Sequence, residues 1–154
     1  METRMLPVGV DDFTQLIEQG YYFIDKTAWI STLLRTRGMV NLFTRPRRFG
    51  KTLNMTMLKA FLEVGTNPAL FDRLAISKES DLCEDYLGQY PVISITLKSA
   101  HALDFDGAYA LLKSIIRSEA SRFMFLQDSH ELHPAFLYNN HFETLYLTGH
   151  HIRQ

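Results

Sequence analysis

The tripeptide Gly50-Lys51-Thr52 sits between an apolar run, Met39 to Phe43, and an amphipathic pattern that continues to about Val64. Strand, tight loop, Gly-Lys-Thr, helix is the layout of a phosphate-binding loop. In such a loop the backbone amides turn inward around an anion, and the helix N-terminus adds the positive end of its dipole. Gly50 permits close approach of backbone to phosphate, Lys51 reaches the β- and γ-oxygens, and Thr52 offers a hydroxyl to Mg²⁺. The full pattern G-x-x-x-x-G-K-[ST] asks for glycine at position 45, where this chain has Arg45. The loop must therefore turn another way, and Pro46 stiffens its entry by fixing φ.

Arg45, Arg47, Arg48 and Lys51 place four cations in seven residues. They suit contacts to a triphosphate, a basic patch against a nucleic-acid backbone, or a merely solvated loop. The apolar run before and the amphipathic helix after favour the first. Net charge is −1, so a nucleic-acid reading rests on this patch alone and draws no support from the chain as a whole.

The remaining bulk properties narrow the class. With 154 residues, 46% of them apolar and 21% charged, the chain is long and apolar enough for one domain with a core. Cys83 is the single cysteine, which excludes an intrachain disulfide and a cysteine-based zinc site and suits a reducing compartment. The N-terminus lacks a signal peptide and no window reaches the length of a membrane span, so the expected location is cytoplasmic with no membrane partner.

Along the chain, residues 1–12 read as a lead-in. Phe13 to Gln19 reads as a short helix stopped by Gly20. Tyr21 to Ile24 is an aromatic, β-branched run ending in Asp25-Lys26-Thr27, and Asp25 is placed to cap the helix that follows. That helix ends with Arg35 and Arg37 in its last turn and Gly38 beyond. Met39–Phe43 and Val92–Leu97 are the two convincing strands. Between them lie the helix from Lys51, a short apolar pattern from Ala69 to Ile76, and an acidic helix within Lys78 to Gln89. Asp104 or Asp106 caps a long amphipathic helix through Phe105, Leu112, Ile116 and Phe123. These alternations predict an α/β fold, P-loop NTPase-like, with three α/β/α layers on a parallel sheet, incomplete because only two strong strands appear.

Hydrolysis of a bound nucleotide also needs an acid at the end of a neighbouring strand. The strand Val92–Leu97 ends in Lys98-Ser99 without a carboxylate. Tyr21 to Asp25 has the right local form, but it precedes the loop strand and Asp25 explains itself as a cap.

Leu6-Pro7-Val8-Gly9-Val10-Asp11-Asp12-Phe13, Tyr22-Phe23-Ile24-Asp25-Lys26-Thr27, Arg45-Pro46-Arg47-Arg48-Phe49-Gly50-Lys51-Thr52-Leu53, Leu70-Phe71 and Tyr90-Pro91-Val92-Ile93 occur in that order. In this the chain resembles the bacterial AAA-ATPase-like proteins, P-loop ATPases often followed by a PD-(D/E)XK nuclease-like domain. The resemblance is good over about residues 6–97 and implies that Arg45 is a family variant of the loop. It implies ATP and Mg²⁺ as cofactors. The nucleotide-binding set is Arg47, Arg48, Phe49, Gly50, Lys51, Thr52 and Leu53, with Thr52 toward the metal. It also implies a C-terminal nuclease-like module or an oligomer partner in the full-length family. The family's Walker B strand would begin about where this chain stops, so residues 1–154 read as the N-terminal portion of one such domain. An ATP-binding module is the first expectation. A non-catalytic interaction fragment, binding a partner or nucleic acid, is the alternative, and a P-loop phosphotransferase a third.

Three further features read as structural. His130-Glu131-Leu132-His133 has i, i+3 spacing and a following Pro134, which suits a polar loop better than a metal site. Cys83 lies among acidic residues that raise a thiol pKa, so it is a poor nucleophile. Trp29 and the Tyr21/Tyr22 pair read as packing residues.

Overall fold

The structure, a computed structural model, describes residues 5–46, 48–98 and 101–125. It divides into two units, Met1–Val92 and Ile93–Gln154. The His130–His133 segment and the later histidines lie outside the described residues.

The first unit is helical. Helix α1, Phe13–Glu18, starts where the Asp12 carboxylate accepts the Gln15 amide at 2.9 Å. It stops in a Schellman turn: the Gly20 amide returns to the Ile17 carbonyl and the Tyr21 amide to the Leu16 carbonyl. Gly20 takes a φ of 68°, which a side chain would resist. Helix α2 spans Ala28–Thr36 and closes on Arg37, which itself adopts the left-handed conformation (φ 50°) one residue before the expected Gly38. Helix α3, Lys51–Leu62, begins directly at the Gly-Lys-Thr tripeptide, with Gly50 as its N-cap. Two short 3-10 turns, Pro68–Phe71 and Ala75–Lys78, carry the apolar pattern read between Ala69 and Ile76. Helix α4, Ser80–Tyr86, closes the acidic stretch.

One core joins these elements. Phe13, Ile30, Met57, Ala60, Phe61, Leu70, Phe71, Ile76 and Leu82 are all buried in a single cluster. Phe71 is its hub: it stacks on Phe13 with ring centroids 5.1 Å apart and meets Phe61 edge-on at 5.2 Å. These are the offset and T-shaped arrangements that aromatic quadrupoles favour. Thr56 fastens α1 to α3, its hydroxyl accepting the Phe13 amide at 3.1 Å, one of the orphan donors of a helix start. At the far end of α3 the Gly88 and Tyr90 amides donate to the carbonyls of Phe61 and Leu62 at 2.9 and 2.8 Å. The Val64 amide returns to the Tyr90 carbonyl, giving an isolated parallel bridge between Glu63 and Tyr90.

The second unit, described by itself, holds helix α5, Phe105–Ser121. Of the two candidate caps it is Asp104 that serves, accepting the Gly107 amide at 2.7 Å. The helix has the apolar periodicity expected of it, yet none of its residues is buried.

The parallel-sheet α/β expectation is overturned. Among the described residues there is no strand and no sheet, and the isolated Glu63–Tyr90 bridge is the β-type pairing that is seen. Neither Met39–Phe43 nor Val92–Leu97 forms a strand, and most of their apolar side chains stand out in solvent. Val40 is 88% and Leu42 85% exposed, and Ile93 68%. An apolar, β-branched run forms a strand only when a second extended segment takes up its amides and carbonyls in register; here the Ser94 amide goes instead to the Glu119 carboxylate at 2.7 Å.

Candidate functional site

The loop from Arg45 to Gly50 is closed on itself by the residue it was expected to present. The Lys51 ammonium donates to the Arg45 carbonyl oxygen at 2.8 Å, spanning the loop from its helical end to its entry. The turn that Arg45 cannot make is made elsewhere. Arg48 takes a left-handed φ of 68° and Gly50 one of 69°, so two residues of the loop reverse the chain where the full pattern would use a first glycine. At Gly50 a Cβ would meet nothing within 4 Å, so the glycine is required there by its φ and not by crowding. Arg48 has no such freedom, and a left-handed non-glycine residue costs about 1–2 kcal/mol.

The predicted site residues separate into groups. Lys51 is exposed at the first position of α3, with Thr52 half-buried behind it. Leu53 packs against the hydrophobic core, which makes it an anchor for the helix. Phe49 is 62% exposed and Arg48 is exposed. Arg47 lies outside the described residues.

Beside the loop is a cavity of about 180 Å³ lined by Trp29, Phe43, Arg45, Lys51, Asn54 and Met55. The Trp29 and Phe43 rings meet edge to face in it, 4.9 Å between centroids. The sequence singled out neither Phe43 nor Asn54 as site residues, and Trp29 read as a packing residue in preference to a base-stacking one. The only early signal was spacing: Asn54 and Met55 lie three and four residues after Lys51, one helical turn on, and so share its side of α3.

Asp25-Lys26-Thr27 is a clamp between distant segments. One oxygen of Asp25 accepts the Thr27 amide at 2.8 Å and the Thr27 hydroxyl at 2.7 Å. The other accepts the Ala75 amide at 2.6 Å. Thr27, fully buried, in turn accepts the Ile76 amide at 3.1 Å. Asp25 was expected to cap α2, but Thr27 holds that N-cap position; Asp25, two residues before it, instead ties Thr27 to the Ala75 amide at the start of the 3-10 turn. Burial pushes the Asp25 carboxyl up. The bonds from Thr27 and Ala75, with the Lys78 charge, outweigh burial and hold it below the ordinary range. The Cys83 thiol is pushed up by burial first and then by Asp81 and Glu79, in the direction the sequence suggested. Arg35, at the end of α2, pairs with Glu79 and Asp81 at the start of α4, at 2.6 and 3.1 Å.

The family model described as predicted AAA-ATPase matches residues 7–151. The chain belongs to this AAA-ATPase-like family. It is also 33% identical over 119 residues to a protein of Azotobacter chroococcum mcd 1, described as an uncharacterized protein in the vnfD 5' region. That match covers 75% of this chain and 22% of the relative, so the chain spans about a fifth of the relative's length. No solved structure matches the chain. For an AAA-ATPase-like protein, nucleotide use is the theme that the family carries. Among the described residues no helix is long and apolar enough to cross a membrane.

Proposed function

We infer that this chain binds ATP at the loop from Arg45 to Thr52, the phosphates lying over the start of α3. The observation that carries the reading is the Lys51 ammonium held at 2.8 Å from the Arg45 carbonyl. A lysine bonded to its own loop is already gathered over the position an anion would take. An incoming phosphate exchanges one neutral acceptor for charged ones, which form the stronger bonds. The two left-handed residues, Arg48 and Gly50, and the helix start behind them supply curvature and dipole of the sense an anion needs.

Mg²⁺ fits the same loop through Thr52, whose hydroxyl is the hard oxygen ligand that such an ion takes beside phosphate. When bound it would neutralise charge on the phosphate oxygens. Arg45 and Arg48 add positive charge for the triphosphate, Lys51 orients it, and Gly50 leaves its face of the loop open. Asp25, the one carboxylate with a strand-end form in the sequence, is engaged with the Thr27 and Ala75 amides. The reading is therefore one of nucleotide binding, and hydrolysis would draw its acid from outside the described residues.

Titration with a fluorescent ATP analogue in the presence of Mg²⁺ tests this. Saturable binding by the wild-type chain that weakens at least about tenfold in Lys51→Ala is the expected result. Equal binding by both proteins, or none by either, refutes it.

A further inference from the structure

We propose that the cavity between Trp29, Phe43 and Asn54 is the seat of the nucleobase of the bound nucleoside triphosphate. The proposal rests on the phosphate reading of the loop and adds to it the part of the ligand that a phosphate site alone does not recognise.

Three observations carry it. The first is size. The cavity, about 180 Å³, exceeds the roughly 150 Å³ that takes up a benzene ring. It is smaller than the roughly 300 Å³ at which pockets for whole drug-sized ligands begin. It has room for one flat ring system and no more. The second is chemistry. Two aromatic rings, Trp29 and Phe43, line it edge to face, 4.9 Å between centroids, the kind of side chain on which a planar base stacks. Asn54 lines the same cavity, and its side-chain amide carries both donor and acceptor, the pair needed to read the polar edge of a base. The third is continuity with charge. Lys51 and Arg45 line this cavity as well as the loop, so a ligand with an aromatic ring at one end and anionic groups at the other meets complementary partners at both.

The rings differ in how firmly they are held. Trp29 packs against the hydrophobic core from α2, whereas Phe43 is 43% exposed in an extended segment that no neighbouring strand pairs. One wall is thus anchored in the core and the other is half open to solvent.

The full chain is titrated calorimetrically with Mg·ATP and with Mg·tripolyphosphate, which has the anion and lacks the base. Emission of Trp29, the single tryptophan of the chain, is followed in parallel. ATP binding at least about tenfold tighter than tripolyphosphate is expected, with Trp29 emission moved by ATP alone. Phe43→Ala and Asn54→Ala are the diagnostic variants. Neither position belongs to the buried cluster, and circular dichroism checks the fold of each variant. A fall in the ATP preference to under about threefold in either variant, with tripolyphosphate affinity unchanged, supports the base seat. Equal affinity for the two ligands in the wild type, or a preference that survives both substitutions, overturns the base seat and leaves the phosphate reading intact. Failure of both ligands to bind overturns the two together.

Discussion

The Asp25 carboxylate accepts the Ala75 amide at 2.6 Å across fifty residues of chain. With the Thr27–Ile76 bond beside it, this fixes the start of α2 to the 3-10 turn that carries Ile76 into the core. Trp29, on the first turn of α2, inherits its position from that clamp.

Asp25→Ala removes the acceptor for three hydrogen bonds and is expected to destabilise the chain by about 2 kcal/mol. Because the folded carboxyl lies below its ordinary value of 3.8, its contribution is full above that value and is lost as pH falls through the folded value. Melting temperatures of wild type and Asp25→Asn should accordingly differ at neutral pH and converge in acid. A gap that stays constant with pH would rule out the carboxylate as its source.

Thr27→Val keeps the shape and deletes the hydroxyl. The Ile76 amide then has no acceptor in a buried setting, and a loss of about 1–3 kcal/mol is expected by chemical denaturation. A neutral result would mean that the amide finds another partner.

Arg37 ends α2 with a φ of 50° and an exposed side chain. Arg37→Gly should stabilise the chain by up to about 1 kcal/mol, since glycine adopts this conformation without the Cβ penalty. Thermal unfolding reads the sign directly.

Phe71→Ala removes the ring that both Phe13 and Phe61 pack upon. A cost of about 3–5 kcal/mol is expected, a large share of the roughly 5–15 kcal/mol that stabilises an ordinary domain. Circular dichroism and thermal melts would detect it.

Gly50→Ala meets no steric obstacle in the free protein and should cost only the backbone strain of φ 69°, about 1–2 kcal/mol. If the loop holds phosphate, ATP affinity falls by more than this strain explains. Stability and binding measured on the same variant separate the two effects.

Much of the local structure was legible because its causes are local. The long helix announced its start through an aspartate at 104 or 106, of which Asp104 reaches the amide three residues on, and Gly20 announced an end through its own φ. The start of α3 at Lys51 follows from the tripeptide itself. The sheet was misread because Val40, Leu42, Ile93 and Ile95 have the composition of buried strands, while pairing depends on a second segment that composition does not name. For the same reason Asp25 was read as the cap of α2, a position that Thr27 holds, and its distant partner Ala75 was not legible. Within the candidate site, Lys51 was legible and its bond to Arg45 was not. Trp29 and Phe43 meet by tertiary packing across fourteen residues of chain, which no period in the sequence marks.

The bridge between Glu63 and Tyr90 is made of main chain alone. Although Tyr90 stacks on Tyr86 and Glu63 pairs with Lys59, the bridge itself imposes no choice of side chain beyond excluding one residue. Proline at 90 would lack the N–H that meets the Leu62 carbonyl, and a proline already stands next door at 91. Deleting a single residue between Gly88 and Tyr90 would slide that imino acid into the donor position and unfasten the end of α3. The fastening at the end of α3 is thus set by frame rather than by the side chains that stand at the bridge.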